Sequence, residues 1–237
     1  MNTNIIEIAS GIYRISTFIE RSNLVFNQFL VVADEPLLFH CGYRSLFPLV
    51  SGAVRRVIPL QTIRWVSYGH HEADESGAMN DWLGAGPHAC VAVGAIGRML
   101  SAADLAIREP RALQDCEIID LGGKRVRYLA TPHVPHGWDA GLLYEETTNT
   151  LLCGDLFTQL GDGEAIREED IVGPALEAEN LYGATALTGE TAKTIRRLSG
   201  LAPQTLGLMH GPAFHGKGEV VLQQLADGYE TRFRVKC

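Results

Sequence analysis

Short apolar runs broken by turn residues recur along the chain. Residues 12–16 are β-branched and bounded by Gly11, and residues 27–33 (NQFLVVA) form a second run that stops at Asp34-Glu35-Pro36. Residues 37–40 then begin another strand, so 27–40 reads as a hairpin. Residues 46–57 carry a helical pattern weakened by Pro48 and Gly52, and 62–67 (TIRWVS) is an apolar strand ending at Tyr68-Gly69-His70. A helix is expected over 77–83 with Ser76 as its cap, and another over 95–100. Gly122-Gly123 between 117–121 and 124–130 is a hairpin signal, and 142–144 and 150–153 flank a Glu-Glu-Thr-Thr-Asn turn. The acidic, weakly periodic stretch 161–180 reads as an insertion over the surface, either a lid or an oligomer contact. Residues 188–198 read as a helix, 205–208 as a short strand ending at Met209-His210-Gly211, and 219–233 as a terminal helix weakened at Gly228. The pattern predicts antiparallel strands in each half, each half closed by helices. No linker or repeat divides the chain, so residues 1–237 are expected to form a single domain.

Composition narrows the class. With 46 % apolar and 20 % charged residues, the chain is globular rather than disordered. A net charge of −8 disfavours a nucleic-acid partner, and no apolar run is long enough for a membrane span. The N-terminus lacks the basic and apolar regions of a signal peptide. The five cysteines are widely spaced, with no Cys-x-x-Cys, which suits reduced thiols in the cytoplasm.

The eight histidines are not spread evenly. His70 and His71 sit beside Glu72, Asp74 and Glu75, His133 and His136 lie near Asp139, and His210 and His215 fall together near the end. Asp155 follows a strand in Cys-Gly-Asp-Leu-Phe. Four of these spots share one context, an apolar strand ending in a Gly- or Pro-marked loop that bears a ligand-type residue. Loops at one end of a sheet converge, so the four are expected to form one site. If the backbone after Ser67 stays extended, residues 70, 72 and 74 share a face while His71 points away. That places one imidazole beside two carboxylates, and the two carboxylates repel each other unless a cation lies between them. His88 and His215 show no partners in the sequence and are expected at the surface or a pocket rim.

The ordered set His70-x-Glu72-x-Asp74, His136, Gly154-Asp155 and His210-Gly211 resembles the metallo-β-lactamase fold superfamily, and residues 27–42 resemble its entry hairpin. The resemblance spans nearly the whole chain. It implies an α/β (α+β) fold, a four-layer αββα sandwich of two mixed sheets with outer helices and metals at the sheet ends. Hydrolases of the superfamily usually carry His where Glu72 stands. Glu there, with His136-Gly-Trp-Asp139, resembles the diiron domain of flavodiiron proteins and the related oxygen-binding diiron proteins. By this resemblance one iron takes His70, Glu72, His136 and a bridging Asp155, and the other takes Asp74, Asp155 and His210. The superfamily has His directly after the Asp, whereas this chain has Glu75. Glu75 then either supplies an oxygen ligand or leaves the second iron an open or water-filled position. His40, standing where many hydrolases have Asp, together with His71, His133 and Asp139, is expected to support the ligands from behind. The His-x-x-Asp spacing favours His136 over His133 as the ligand.

The oxygen-rich ligand set suits iron, with zinc or manganese as alternatives. The implied function is binding or activation of dioxygen, as a sensor or slow oxidase. The rival is a dinuclear hydrolase of an ester, thioester or phosphodiester. No flavodoxin-like region and no nucleotide-binding glycine loop is read in the sequence, and residues 93–97 (VGAIG) are taken as helix packing. No bound flavin is therefore expected, and electrons would come from an external flavoprotein. The group resembled often forms homodimers. Tyr68, Trp138, Phe157, Tyr182 and Phe214 lie near ligand positions, some as candidates for a pocket wall and most for the core.

Overall fold

The computed structural model describes residues 2–236, and Cys237 lies outside that range. The first sheet runs β1 (Thr3–Ala9), β2 (Ile12–Ile19), β3 (Leu24–Val31), β4 (Leu37–Phe39), β5 (Trp65–Ser67), β6 (Cys90–Gly94) and β7 (Arg111–Leu113), in that spatial order. The second contains β8 (Ile118–Asp120), β9 (Arg125–Ala130), β10 (Gly141–Glu145), β11 (Thr150–Leu152), β12 (Ile166–Arg167), β13 (Thr205–Gly207) and β14 (Ala213–His215), ordered β12-β14-β13-β11-β10-β9-β8. Strands β1–β4 are antiparallel neighbours, but β4–β7 are all parallel. The expected antiparallel run therefore covers only part of the first half. Parallel neighbours need long crossovers, and here helices supply them: α1 (Phe47–Val54), α2 (Ala73–Ser76), α3 (Met79–Ala85), and α4 (Ala95–Gly97) joined through a π-helical turn to α5 (Ala103–Leu105). The second sheet is covered by α6 (Val172–Tyr182), α7 (Thr191–Ser199) and α8 (Gly218–Lys236).

Successive strand residues face opposite sides of a sheet. In β4, Leu38 joins the core beneath α1 and α3, while Leu37 and Phe39 join the core between the sheets. In β10, Leu143 faces that shared core, and Leu142 and Tyr144 face the helices of the second half. Both faces of the central strands are thus buried. That is why they read as unbroken apolar runs rather than alternating ones, and why the four layers are α, β, β, α. The sheets approach closely at β13, where a Cβ on Gly207 would stand 2.8 Å from Cε1 of Phe29 and 2.9 Å from Cδ2 of Leu152.

Several local expectations are corrected. Ser76 closes α2 instead of capping the next helix, its hydroxyl donating to the Glu72 carbonyl at 2.7 Å, and α3 begins at Met79. The 161–180 stretch is no mere surface insertion, because it supplies β12 and most of α6. Gly228 does not weaken α8. A Cβ there would lie 2.9 Å from Leu176 of α6, so the glycine lets the two helices meet. The apolar pattern also left β1, β7, β12 and β14 unmarked. The four described cysteines, Cys41, Cys90, Cys116 and Cys153, are free thiols, and no helix among the described residues is long and apolar enough to cross a membrane.

Candidate metal centre

Four strands, β5, β9, β11 and β13, end on one rim of the sandwich. Their following loops carry His70, His136, Asp155 and His210 respectively. The Gly141 amide donates to the Gly69 carbonyl at 2.9 Å and ties the first sheet's rim to the second's. Backbone strain accumulates beside the rim, with His40 at φ 66° and Phe157 at φ 63°, values that favour glycine.

The donor atoms fall into two sets that share Asp155. In the first, Nε2 of His136 lies 3.3 Å from Oε1 of Glu72 and 3.4 Å from Oδ2 of Asp155. Nε2 of His70 lies 3.6 Å from Glu72 and 3.7 Å from the same Asp155 oxygen. One donor atom from each of these four residues fits within 4.8 Å of all the others. In the second set, Nε2 of His210 lies 3.3 Å from Oδ1 of Asp155 and 3.4 Å from Oδ2 of Asp74. Asp155 thus turns one oxygen to each set.

These separations are long for hydrogen bonds. They match donors spaced around a cation, since bonds of about 2.1 Å in a tetrahedral shell put neighbouring donors about 3.4 Å apart. Nε2 of His70, Nε2 of His136 and Oδ1 of Asp155 are buried without a hydrogen-bond partner. Such orphaned atoms are costly, and a metal pair would satisfy them.

The electrostatics point the same way. Burial pushes His70 down, but Glu75, Glu72 and Asp155 overcome it and raise its pKa to about 11. Burial likewise opposes the charge on His210, and Asp155 and Asp74 still raise it to about 10. The adjacent Glu72 carboxylate raises His136. Glu72 is held far below the usual carboxylate range by His136 and His70. Asp155 is brought to about 2 against burial, chiefly by His210. The cluster holds positive charge tightly, as a metal site must.

The chain reaches this geometry differently from the extended alternation expected after Ser67. Glu72 is extended (φ −127°, ψ 163°), but α2 starts at the next residue. Asp74 enters the cluster from a helical turn. Glu75, about 100° further round the helix, is aimed elsewhere. Its Oε1 lies 3.2 Å from Nδ1 of His70 and 3.5 Å from Nε2 of the fully buried His40, and its Oε2 accepts the backbone N–H of Gly69 at 2.5 Å and of His70 at 2.8 Å. Glu75, expected either as an oxygen ligand or as marking an open position, therefore sits behind His70 and turns away from the second donor set. Carboxylates in this position fix an imidazole's tautomer and raise its basicity. His40 and His70 hold Glu75 ionised despite complete burial, and burial lowers the pKa of His40.

The other expected supports divide. Asp139 is buried and accepts the His71 amide at 3.0 Å, which fastens the His136 loop to the His70 loop. The His71 ring is exposed and meets the Ser76 hydroxyl at 3.1 Å, away from the cluster. His133 is exposed as well, and only its amide matters, donating to the Gly137 carbonyl at 2.7 Å to close the loop. The expectation that the His133 side chain backs the ligands is corrected. His88 is exposed, and His215 reaches the Ile8 carbonyl at 2.5 Å.

Two positioning groups escaped the sequence reading. Nδ1–H of His210 donates to the Val25 carbonyl at 2.8 Å, leaving Nε2 for the cluster. The amide Nδ2 of Asn27 donates to the carbonyls of Leu208 and Gly211 at 2.7 and 2.8 Å. So β3 of the first sheet grips the loop that follows β13 of the second. The available signal was a polar Asn-Gln pair at the head of the apolar run 27–33.

A cavity of about 270 Å³ opens on the cluster, bounded by Glu72, His136, Asp155 and His210 and, opposite, by Ala175, Ala178, Glu179 and Tyr182 of α6 and Tyr229 of α8. Of the five aromatics considered for a pocket wall, only Tyr182 lines it. Tyr68, Phe157 and Phe214 are buried core, and Trp138 is 56 % exposed.

Two packed mixed sheets with outer helices and a His/Asp/Glu cluster at their rim define a metallo-β-lactamase-fold protein close to the flavodiiron core. More narrowly, the chain belongs to the family described as "ODP family beta lactamase", whose model matches residues 24–178. Diflavin flavoprotein A 1 of Synechocystis sp. (strain PCC 6803) is 24 % identical over 211 residues, covering 85 % of this chain and 36 % of that protein. The chain spans about a third of the curated relatives it matches. Among solved structures, rubredoxin oxygen:oxidoreductase from Desulfovibrio gigas superposes with a TM-score of 0.82 at 17 % identity, over 98 % of this chain and 62 % of that one. A metal-soaked Flv1 flavodiiron core from Synechocystis sp. PCC6803 gives 0.79 at 19 % identity, over 98 % and 61 %.

Proposed function

We propose that this chain is a non-haem diiron protein that binds or activates dioxygen, as a sensor or a slow oxidase. The observation that carries the reading is Asp155, whose two oxygens face two separate donor sets. His70, Glu72, His136 and Asp155 would hold one iron, and Asp74, Asp155 and His210 the other. Three carboxylates against three neutral imidazoles make an oxygen-rich shell, which suits iron or manganese and supports a higher oxidation state. An iron pair supplies the reversible electron transfer that zinc lacks.

The chain's own residues do the rest. Glu75 and the Val25 carbonyl fix the tautomers of His70 and His210. With Glu75 turned behind His70, the second set holds only three protein donors, which leaves room for a small ligand. The relatives are named flavoproteins, and this supports an electron-donating flavoprotein as partner. A homodimer in the cytoplasm completes the reading.

The cavity of about 270 Å³ favours a second reading, a dinuclear zinc or manganese hydrolase acting on an ester, thioester or phosphodiester, because an organic substrate fits beside the cluster. Metal content and an optical spectrum, taken on iron-grown protein without air and again after oxygen is admitted, separate the two. Two irons per chain and a new absorption band support the diiron reading. Stoichiometric zinc with no band and no oxygen uptake overturns it.

A further inference from the structure

A second polar cavity, of about 200 Å³, lies on the other side of the His210 loop, and Arg14, Gln159, Asp162 and Arg167 are among its lining residues. Arg14 is on β2, on the strand face shared with Ile12 that turns toward the second sheet. A guanidinium there is out of place, and it is only 5 % exposed. One of its nitrogens, Nη2, donates to the Gly211 carbonyl at 2.9 Å, but its Nε–H has no partner. Gln159 is 4 % exposed; its Oε1 accepts from Nη1 of Arg167 at 3.1 Å, and its Nε2 has no partner. Among the described residues, the buried orphaned side-chain atoms lining this cavity are both N–H donors. Buried donors left unpaired are unfavourable, and an acceptor between them relieves both.

We propose that this cavity binds a small oxyanion, a phosphate or a carboxylate, through Arg14 and Gln159 with Arg167 as a second cation. Burial lowers the Arg14 pKa only to about 10, with Asp162 opposing the fall, so the group is charged at neutral pH. Arg167 also pairs with Glu164 at 3.2 Å, and a guanidinium has donors for both that carboxylate and an anion. Asp162 is the acidic residue among the lining, and its charge weakens the site without closing it. Occupancy bears on the metal centre, because the groups that meet the anion also hold the ligand loop. The backbone N–H of Gln159 donates to the His210 carbonyl at 2.8 Å, and Arg14 shares the Gly211 carbonyl with Asn27. The site does not depend on which metal the cluster takes.

Calorimetric titration and thermal unfolding of the whole chain test it, with inorganic phosphate and acetate as probes and chloride holding the ionic strength constant. Saturable binding of either probe, with a rise in the unfolding midpoint, is expected. Phosphate alone marks a phosphate-bearing ligand and acetate alone a carboxylate. Arg14→Met should weaken binding about tenfold or more, as loss of a charge-assisted hydrogen bond does. Asp162→Asn, on an exposed loop, should tighten it severalfold. No binding beyond that of chloride overturns the proposal, as does an unchanged affinity in folded Arg14→Met. Should Arg14→Met fail to fold, Asp162→Asn decides: tighter binding supports the site, and unchanged affinity overturns it.

Discussion

Glu75 Oε1 lies 3.2 Å from Nδ1 of His70, on the side of the ring opposite the Nε2 that faces the cluster. Glu75, expected from its place in the sequence as an oxygen ligand or an open position, faces the back of the His70 ring instead of the cluster. Two backbone amides and His40 hold it in place.

Replacing that carboxylate should therefore loosen the metals without removing a ligand. Glu75→Gln is expected to lower metal affinity about 10- to 100-fold, read by competition with a chelator of known affinity. Wild-type affinity in the variant would show that Glu75 does not position His70.

Asp155 should control both metal positions, and His210 only one. In Asp155→Ala, metal content should fall from two per chain toward none, whereas His210→Ala leaves the four donors of the first set and about one metal. Elemental analysis on refolded, dialysed protein reads both. Equal loss in the two variants would contradict the division into sets.

The metal-free protein should respond to pH in a definite direction. His70 and His210 have folded pKa values raised to about 11 and about 10. Their contribution is full below the unfolded value of about 6.5 and is lost as pH rises through the folded values. Glu72 and Asp155 are depressed, so their contribution is present above about pH 4.5 and is lost as pH falls through the folded values. The unfolding midpoint of chelator-treated protein should therefore be highest between about pH 4.5 and 6.5 and decline from about pH 6.5 to 11. Metal-loaded protein, whose histidines are already deprotonated, should not show the alkaline decline. Calorimetry across that range compares the two.

Gly207 offers a stability prediction independent of metal. Gly207→Ala places a Cβ against Phe29 and Leu152, where the two sheets touch. Overpacking of this kind costs about 1–3 kcal/mol, measurable by urea unfolding of the metal-free form.

Much of this protein is legible in one dimension. Apolar runs buried on both faces mark β3, β4, β10 and β11. Gly122 and Gly123, both at positive φ, mark the β8–β9 turn because few other residues tolerate that backbone. Strand ends bearing His70, His136, Asp155 and His210 predicted a shared rim, since strands that run alike bring their loops to one edge. What stayed hidden depends on contacts between distant segments. The strands β7, β12 and β14 are two or three residues long, too short to carry a pattern, and pairing with neighbours defines them. Small side chains make α6 look like an acidic insertion until α8 and the cluster cavity lie against it.

The same division runs through the site. The sequence by itself determined which donors exist and in what order, because ligand chemistry is a property of residue type. Tertiary structure alone decided where each donor aims: Asp74 toward the cluster and Glu75 behind it, His136 inward and His133 outward, Arg14 into a cavity between the sheets. Those directions follow from a helix beginning at Ala73, a loop closed from His133 to Gly137, and two sheets meeting face to face. No spacing rule encodes them, since they are set by packing between segments far apart in the chain.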